Sequence, residues 1–591
     1  MTSMNQSTCA FLRDLLSRYD WVSTSSHSLE LIALVTTNAV PTAFQATQLK
    51  ASIEVLDDPI TEIQSEIDLL RNAAATLETK VARLKDIRHD YRAALSPIRR
   101  LPIEILVEIL RWTPKDNIEL NAKDDYRSYH VFGFNVFKIS QGPWYLGQVC
   151  SSWRDAVRFL CPEIWSKLKI SCPLKRSEKE SPMIPAPKKD MVALLNRALE
   201  RSHNHRLDVF FICWGFGMDD PGDQIEEPEE MIQCFDLLLT HSKRWGAVEL
   251  SIVPSFLSRL SLVRGRLDRL EDVYLTCIPN AMPGTMNAFE IAPKLQTFEL
   301  IGMHAEADIP FPRESLFFFS DARPLPDHDT VPKYLDIIAS APDLFDFSYH
   351  HYSSTIPELP GPYHPQIVHQ SLQTLSTSLG PLIDSLVVPG LLEMTSASHP
   401  RVGMPIMSPR DTLSHIYSLV VRSHCSLTIL NFVDTIMDDN LLPILRLSPQ
   451  LISLCFECNQ PSSESDETMK SLFLDMSETI RVEDALHHTL LPRLEYLEFK
   501  LHNVEFDAVN YLHVDFVEMI VSRRVPLGSQ MLEVLRIEVK GRDFCLPFTG
   551  NGGFEKLQRL RDDGLELHLD LHDWEERVLR ASMCLSDSED D

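Results

Sequence analysis

The sequence predicts a mixed α/β chain, a helical N-terminal part followed by a long array of alternating strands and helices. Three observations carry this. Apolar residues step by four and three from Leu49 to Leu84, the period of a helical seam. A Leu-Pro start at Leu101 then opens three short helical elements. Beyond residue 190 one pattern, apolar-x-x-apolar-x-apolar, returns at Trp245, Leu270 and Leu295 in steps of 25 residues.

Bulk properties set the frame. At 591 residues the chain is too long for one ordinary domain. With 44% hydrophobic and 24% charged residues it is expected to fold rather than stay disordered. A formal net charge of -28 argues against nucleic acid and anionic membrane as partners, since both would be repelled. The 12 cysteines are scattered, many in apolar runs such as Phe211-Ile-Cys213-Trp214, and read as free thiols in a reducing compartment. The N-terminus shows no basic region followed by an apolar core, and the run Leu29–Val40 is too short to span a bilayer. Cytoplasm or nucleus is the expected location.

After an N-terminal segment, residues 1–45, the neck occupies residues 46–95. Its seam runs Leu49, Ile53, Leu56, Ile60, Ile63, Ile67, Leu70, Ala74, Leu77, Val81, Leu84. Asp58 can cap and Pro59 can take a first helical position, so the firm helix is predicted from Pro59 to Ala94. Two apolar positions in seven suit a partner helix. Self-association through residues 59–94, a hairpin with residues 9–56, and packing on the chain's own body all satisfy that seam.

Ser96-Pro97 ends the neck, because a residue before proline avoids helical dihedrals. Pro102 suits the first turn of a new helix. There Leu101, Ile105, Leu106, Ile109 and Leu110 share one side, and Glu104, Glu108 and Arg111 face away. A long insertion, residues 113–142, carries charged pairs and the aromatic stretch Tyr129 to Phe137. Leu146, Val149, Cys150, Trp153 and Val157 form a second stripe, and Pro162 opens a third element with Ile164 and Trp165. Three short helices expose more apolar surface than they can bury among themselves. From the residues alone, these stripes suit a docking module or the core of a helical subdomain.

Leu101-Pro102, a short amphipathic helix and the late Cys150-Ser-Ser-Trp153-Arg154 over residues 97–170 resemble an F-box. The join of a helical neck to Ser96-Pro-Ile-Arg-Arg-Leu-Pro102 and to Gly142-Pro-Trp144 is similar to F-box proteins of basidiomycete fungi. The long first loop departs from a minimal F-box, although loops tolerate insertion cheaply. The resemblance implies docking on a Skp-type adaptor and, through it, a cullin-RING ubiquitin ligase. By the same resemblance the adaptor-facing residues are Leu101, Pro102, Ile105, Leu106, Ile109, Leu146, Val149, Cys150, Trp153 and Trp165.

Residues 171–190, rich in Pro, Lys and Ser, read as a linker. The array, residues 191–580, repeats its motif at Leu344, Leu372, Leu427, Leu451, Leu494 and Leu532. Equal spacing with one shared motif is the signature of leucine-rich repeats, and favours a repeat-like α/β solenoid over an ordinary α/β domain. The strict Asn of such repeats is missing in most units. Because strand side chains alternate, Glu249, Tyr274, Glu299, Asn431, Glu498 and Arg536 point away from the core in equivalent slots. They are the candidate substrate-binding residues. The acidic members suit a basic substrate segment, and equally suit plain solvation. An acidic tail, residues 581–591, closes the sequence.

Cys455-Phe-Glu-Cys458 has no second pair at zinc spacing, and three-apart residues of a strand face opposite ways, so it reads as structural. His203-Asn-His205 and His487-His488 lack a ligand set. No phosphate loop or nucleophile elbow occurs. The expectation is a non-catalytic substrate receptor with no cofactor and no metal. The alternative is a repeat scaffold or interaction protein without a ligase role.

Overall fold

The computed structural model describes residues 2–24, 32, 34, 40–112, 133–171, 190–213, 229–277, 285–303, 307–323, 330–349, 365–397, 411–461, 463–482, 485–504, 509–525, 530–541, 546, 548 and 552–572. The charged part of the insertion (113–132), most of the linker (172–189) and the acidic tail lie outside the described residues. The chain divides into two compact units, Met1–Pro102 and Ile103–Asp591.

The first unit is helical: Thr2–Arg18, Asp20–Thr24 and Ala43–Ala94, then a 3-10 turn Pro97–Arg100. The neck helix starts earlier than the sequence predicted. Thr42 and Gln45 form a reciprocal capping box, the Thr42 N–H donating to Gln45 Oε1 at 3.0 Å and the Gln45 N–H to Thr42 Oγ1 at 3.4 Å. Pro59 therefore sits inside one 52-residue helix rather than opening a new one. It costs a single i→i−4 bond, which the flanking turns carry. The N-terminal helix meets the neck at one flank. Partial burial raises the Tyr19 phenol, and the Glu62 and Glu66 carboxylates beside it raise it further.

The second unit is mixed α/β. Among the described residues its main sheet has 15 strands in chain order, and neighbouring strands pair in parallel, as from Lys167–Ser171 through Leu207–Ile212 to Trp245–Ile252. Parallel neighbours require a crossover, and helices such as Met191–Arg201, Thr330–Ser340 and Thr412–Ser423 supply it. Asp190 caps the first of these, accepting the Ala193 N–H at 2.8 Å.

Each motif leucine lies two residues before its strand. Leu270, Leu295, Leu344, Leu372, Leu427, Leu451, Leu494 and Leu532 are all fully buried. Motif positions also stack from unit to unit: Phe432, Phe456 and Phe499 lie face to face at 5.6 and 5.3 Å. Among the described residues, no helix is long and apolar enough to cross a membrane.

The sheet begins before the predicted linker. Phe134–Asn135, inside the expected insertion, pairs with Lys167–Ser171 as its first two strands. The helical elements from Ile103 onward are thus built into the same compact unit as the array. Phe134, Val136 and Phe137 are buried there, because an aromatic run is cheaper in the core than in solvent.

One inter-helix contact is built on a histidine. His415 Nδ1 lies 2.9 Å from Asp384 Oδ2 and Nε2 lies 3.1 Å from Asp411 Oδ2, joining Gly380–Asp384 to Thr412–Ser423. Gly380 permits this, since an added Cβ would sit 2.5 Å from the imidazole. The hydrogen bond to Asp384 raises the His415 pKa, burial opposes it, and Asp411 adds to the rise. A raised imidazole stabilises fully below its unfolded value, about 6.5, and that contribution is lost as pH climbs through the folded value. Urea midpoints should therefore fall as pH rises above about 6.5 in wild type, and fall less in His415→Gln. Equal pH slopes would refute the bridge.

Candidate functional site

Two surfaces collect the candidate residues. The first is built on the helix Ile103–Trp112. Leu106, Val107 and Leu110 turn into the core, while Ile105 (51% exposed), Ile109 and Trp112 face solvent. Arg111 fixes the helix end. It pairs with Glu108 at 3.0 Å and with Glu163 of the turn Pro162–Trp165. The buried Cys161 thiol, pushed up to about 11 by burial and then by Glu163, lies 3.9 Å from the Val107 carbonyl. It is a packing group.

The expected second helix is broken into Gly142–Leu146, Ser151–Asp155 and a π-turn, Ala156–Leu160. Val149 (52% exposed), Phe159 and Leu160 face solvent, and Cys150 and Trp153 are half-buried, Trp153 packing on the core. The helix Ile103–Trp112 packs directly on the π-turn, so Ile105, Ile109, Phe159 and Leu160 sit on neighbouring elements.

Three of the ten expected adaptor-facing residues cannot face a partner, for Leu106, Leu146 and Trp165 are buried in the chain's own core. Trp165 has a clear reason. Trp165-x-x-Leu168-x-Ile170 is itself the repeat motif, so Trp165 holds the place that Trp245 holds two strands later. Its indole N–H donates to the Val157 carbonyl at 2.7 Å. Its ring meets Trp144 and Phe134 edge-on at 4.7 and 5.6 Å, and the Arg201 guanidinium lies over both tryptophans. Leu101 and Pro102 close the first unit. Ile105, Ile109 and Val149 are exposed as expected. Sequence reasoning missed Trp112, Tyr145, Phe159 and Leu160, which are also exposed. The π-turn displaces the last two from the face that a regular helix would give them.

The second surface is the sheet face opposite the buried leucines. The pairing register sets Glu249, Tyr274 and Glu299 side by side on three consecutive strands. Asn431, Cys455, Glu498 and Arg536 form the same row on four later strands. All six candidate substrate-binding residues thus share one row, joined through Ser320, Ser348, Ser376 and Thr395.

None of the six is fully exposed, contrary to the expectation. Glu299 and Glu498 are buried, and the others are half-buried. Strands about 4.8 Å apart let row neighbours shield one another. The Cys455 thiol donates to Glu498 at 3.5 Å, and Lys500 reaches Glu498 at 3.4 Å and Glu457 at 3.9 Å. Asn431 Nδ2 donates to Thr395 Oγ1 at 3.1 Å, and the Arg536 guanidinium lies over the Tyr496 ring.

Charge on this face is uneven. Across the seven sheet strands from Trp245–Ile252 to Glu393–Ser396, it carries Glu249, Asp272, Glu299, Asp346 and Glu393, and these strands hold no lysine or arginine among the described residues, although Arg206 reaches Asp272 at 3.5 Å from just before Leu207–Ile212. Burial, then the nearby Glu299, lifts Glu249 to about 7, while Lys169 opposes. Its Oε2 is buried without a hydrogen-bond partner. Such a carboxylate gains when a cation arrives, because the cation restores the cost of its ionisation.

Among the described residues, no group of His, Cys, Asp and Glu is placed to hold a metal ion. Cys455 and Cys458 are both pushed up by burial, to the side of the neutral thiol. No family model matches the chain, and no curated protein matches it.

Proposed function

We propose that the protein is the substrate-receptor subunit of a Skp–cullin–F-box ubiquitin ligase. One observation carries the reading. The helices after Pro102 close a core with one side and still present Ile105, Ile109, Val149, Phe159 and Leu160 to solvent with the other. Large apolar groups grouped on neighbouring elements mark an interaction surface. An F-box uses such a surface to hold a Skp-type adaptor.

The parallel strands, in this reading, form a leucine-rich-repeat-like solenoid, and its sheet face takes a basic segment of a protein substrate. The carboxylates Glu249, Glu299, Asp346 and Glu393 supply the complementary charge, Asp272 being paired with Arg206. The contribution to ubiquitin transfer is proximity: a bound substrate is held at high effective concentration near the charged enzyme. A second reading, a repeat interaction protein without a ligase role, draws support from the burial of Leu106, Leu146 and Trp165.

Co-expression with a Skp-type adaptor separates the two. The wild type should be retained on adaptor beads, and Ile105→Asp combined with Val149→Asp should lose at least tenfold in retention. Both side chains are about half exposed, so the variant should keep its thermal midpoint. Leu106→Asp is the wrong probe, since it would place a carboxylate in the core. Equal retention of variant and wild type, or no retention of either, rejects the receptor reading.

A further inference from the structure

We infer that the neck helix Ala43–Ala94 pairs with a second copy of itself, antiparallel and in one register centred between Ala74 and Leu77. The seam from Ile67 to Leu84 spans 18 residues, about 27 Å of helix. Leu77 (61%), Val81 (48%) and Leu84 (65%) are exposed on it, Ile67 is 37% exposed and Leu70 is half-buried. The N-terminal helix touches the neck near Glu62 and Glu66 and leaves these positions uncovered.

Charge along the seam selects the arrangement. Setting Ala74 against the partner's Leu77 also sets Leu70 against the partner's Val81, and Ile67 against the partner's Leu84. The small Ala74 then meets a large leucine in each central layer. On the flank, Arg71 meets the partner's Glu78, twice by symmetry, and Asp57 meets the partner's Arg92 further out. Arg71 is on the surface already, 3.4 Å from Asp68 with both largely exposed.

The three nearest competing arrangements each carry a defect. A slip of one heptad one way puts Arg71 against the partner's Arg71. A slip the other way puts Glu78 against the partner's Glu78 and Arg71 against the partner's Lys85. A parallel pair in register stacks Arg88 on the partner's Arg88, sets Lys80 beside the partner's Lys85, and faces Ala74 with the partner's Ala74 across a void. Like charges and a void against these, opposite charges and a filled layer for the other, make the choice. This inference stands on the first unit alone and is independent of adaptor docking.

Sedimentation equilibrium of the full chain at micromolar concentration tests it. The wild type should be dimeric and Leu77→Asp monomeric. Arg71→Glu and Glu78→Arg should each weaken the dimer about tenfold, and the two together should restore it. All three positions are exposed, so helical content by circular dichroism should not change. A monomeric wild type overturns the pairing. Single charge reversals without effect, or a double variant no better than either single one, overturn the antiparallel register.

Discussion

Asp321→Ala is expected to lower stability by about 3–5 kcal/mol, the cost of leaving a buried charge without its partner. Asp321 is fully buried and Arg323 is 2% exposed. The guanidinium binds the carboxylate through Nε to Oδ1 at 2.8 Å and Nη2 to Oδ2 at 2.6 Å, and Nη1 donates to the Ala307 carbonyl at 2.9 Å. The Tyr334 hydroxyl donates to Asp321 Oδ2 at 2.9 Å. Burial alone would depress Arg323, but the charge and hydrogen bonds of Asp321 reverse this and hold it protonated. Alanine strands the cation in the sheet core and orphans the Tyr334 hydroxyl.

Asp321→Ala with Arg323→Met should recover most of the loss, because the pair's own desolvation cost is nearly as large as its attraction. Urea unfolding followed by tryptophan fluorescence would read both. A double variant as unstable as the single one would show that the pair contributes shape rather than charge balance.

The same pair explains what the sequence hid. In Leu316-Phe-Phe-Phe319-Ser-Asp321 the third apolar place of the repeat motif is a carboxylate, so that strand escaped the pattern. Leu391-Leu-Glu-Met394-Thr-Ser396 escaped through a buried serine, and Gly564-Leu-Glu-Leu567-His-Leu569 through a glycine in the first place, at φ 95°. From Trp245 onward the strand and its register were readable where the motif was intact, whereas the intact Trp165-x-x-Leu168-x-Ile170 was hidden because Trp165 also fits the helical stretch before it. The six outward residues were placed in one row from alternation alone, since a period of two leaves no other choice.

What alternation cannot give is exposure, which depends on how long neighbours lean across the row, as Lys500 does toward Glu498. The helical surface was less legible for a different reason. A π-turn at Ala156–Leu160 shifts the face, and Trp165 belongs to two patterns at once: it closes the helical stretch and opens a repeat. Only its burial decides which role governs its contacts.

Arg523→Met is the second large effect expected, a loss of about 3 kcal/mol or more. Arg523 is 2% exposed, and its guanidinium donates four hydrogen bonds to backbone carbonyls among the described residues. Nε and Nη2 donate to Met476 at 3.2 and 3.0 Å, Nη1 donates to Leu491 at 2.8 Å, and Nη2 also reaches Leu490. One planar cation thus ties the helix Asp466–Ser477, the exit of the hairpin Thr479–Val482/Ala485–His488, and its own helix Val514–Arg524. Burial lowers its pKa to about 10, so it remains charged at neutral pH. Methionine fills the space but leaves three carbonyls short of a charged donor. Lysine keeps the charge without the fork, and should recover less than half of the loss.

A pH signature separates this from simple packing. Burial, and then the positive charge of Arg523, depresses His488 to about 4. A depressed imidazole stabilises fully above its unfolded value, about 6.5, and that contribution drains away as pH falls toward the folded value. The wild type should therefore lose stability between about pH 6.5 and pH 4, and Arg523→Met should lose less over that interval, because one of the two causes is gone. An unchanged acid slope in the variant would mean that burial alone sets His488, and a stability loss below about 1 kcal/mol would mean the carbonyls find water instead.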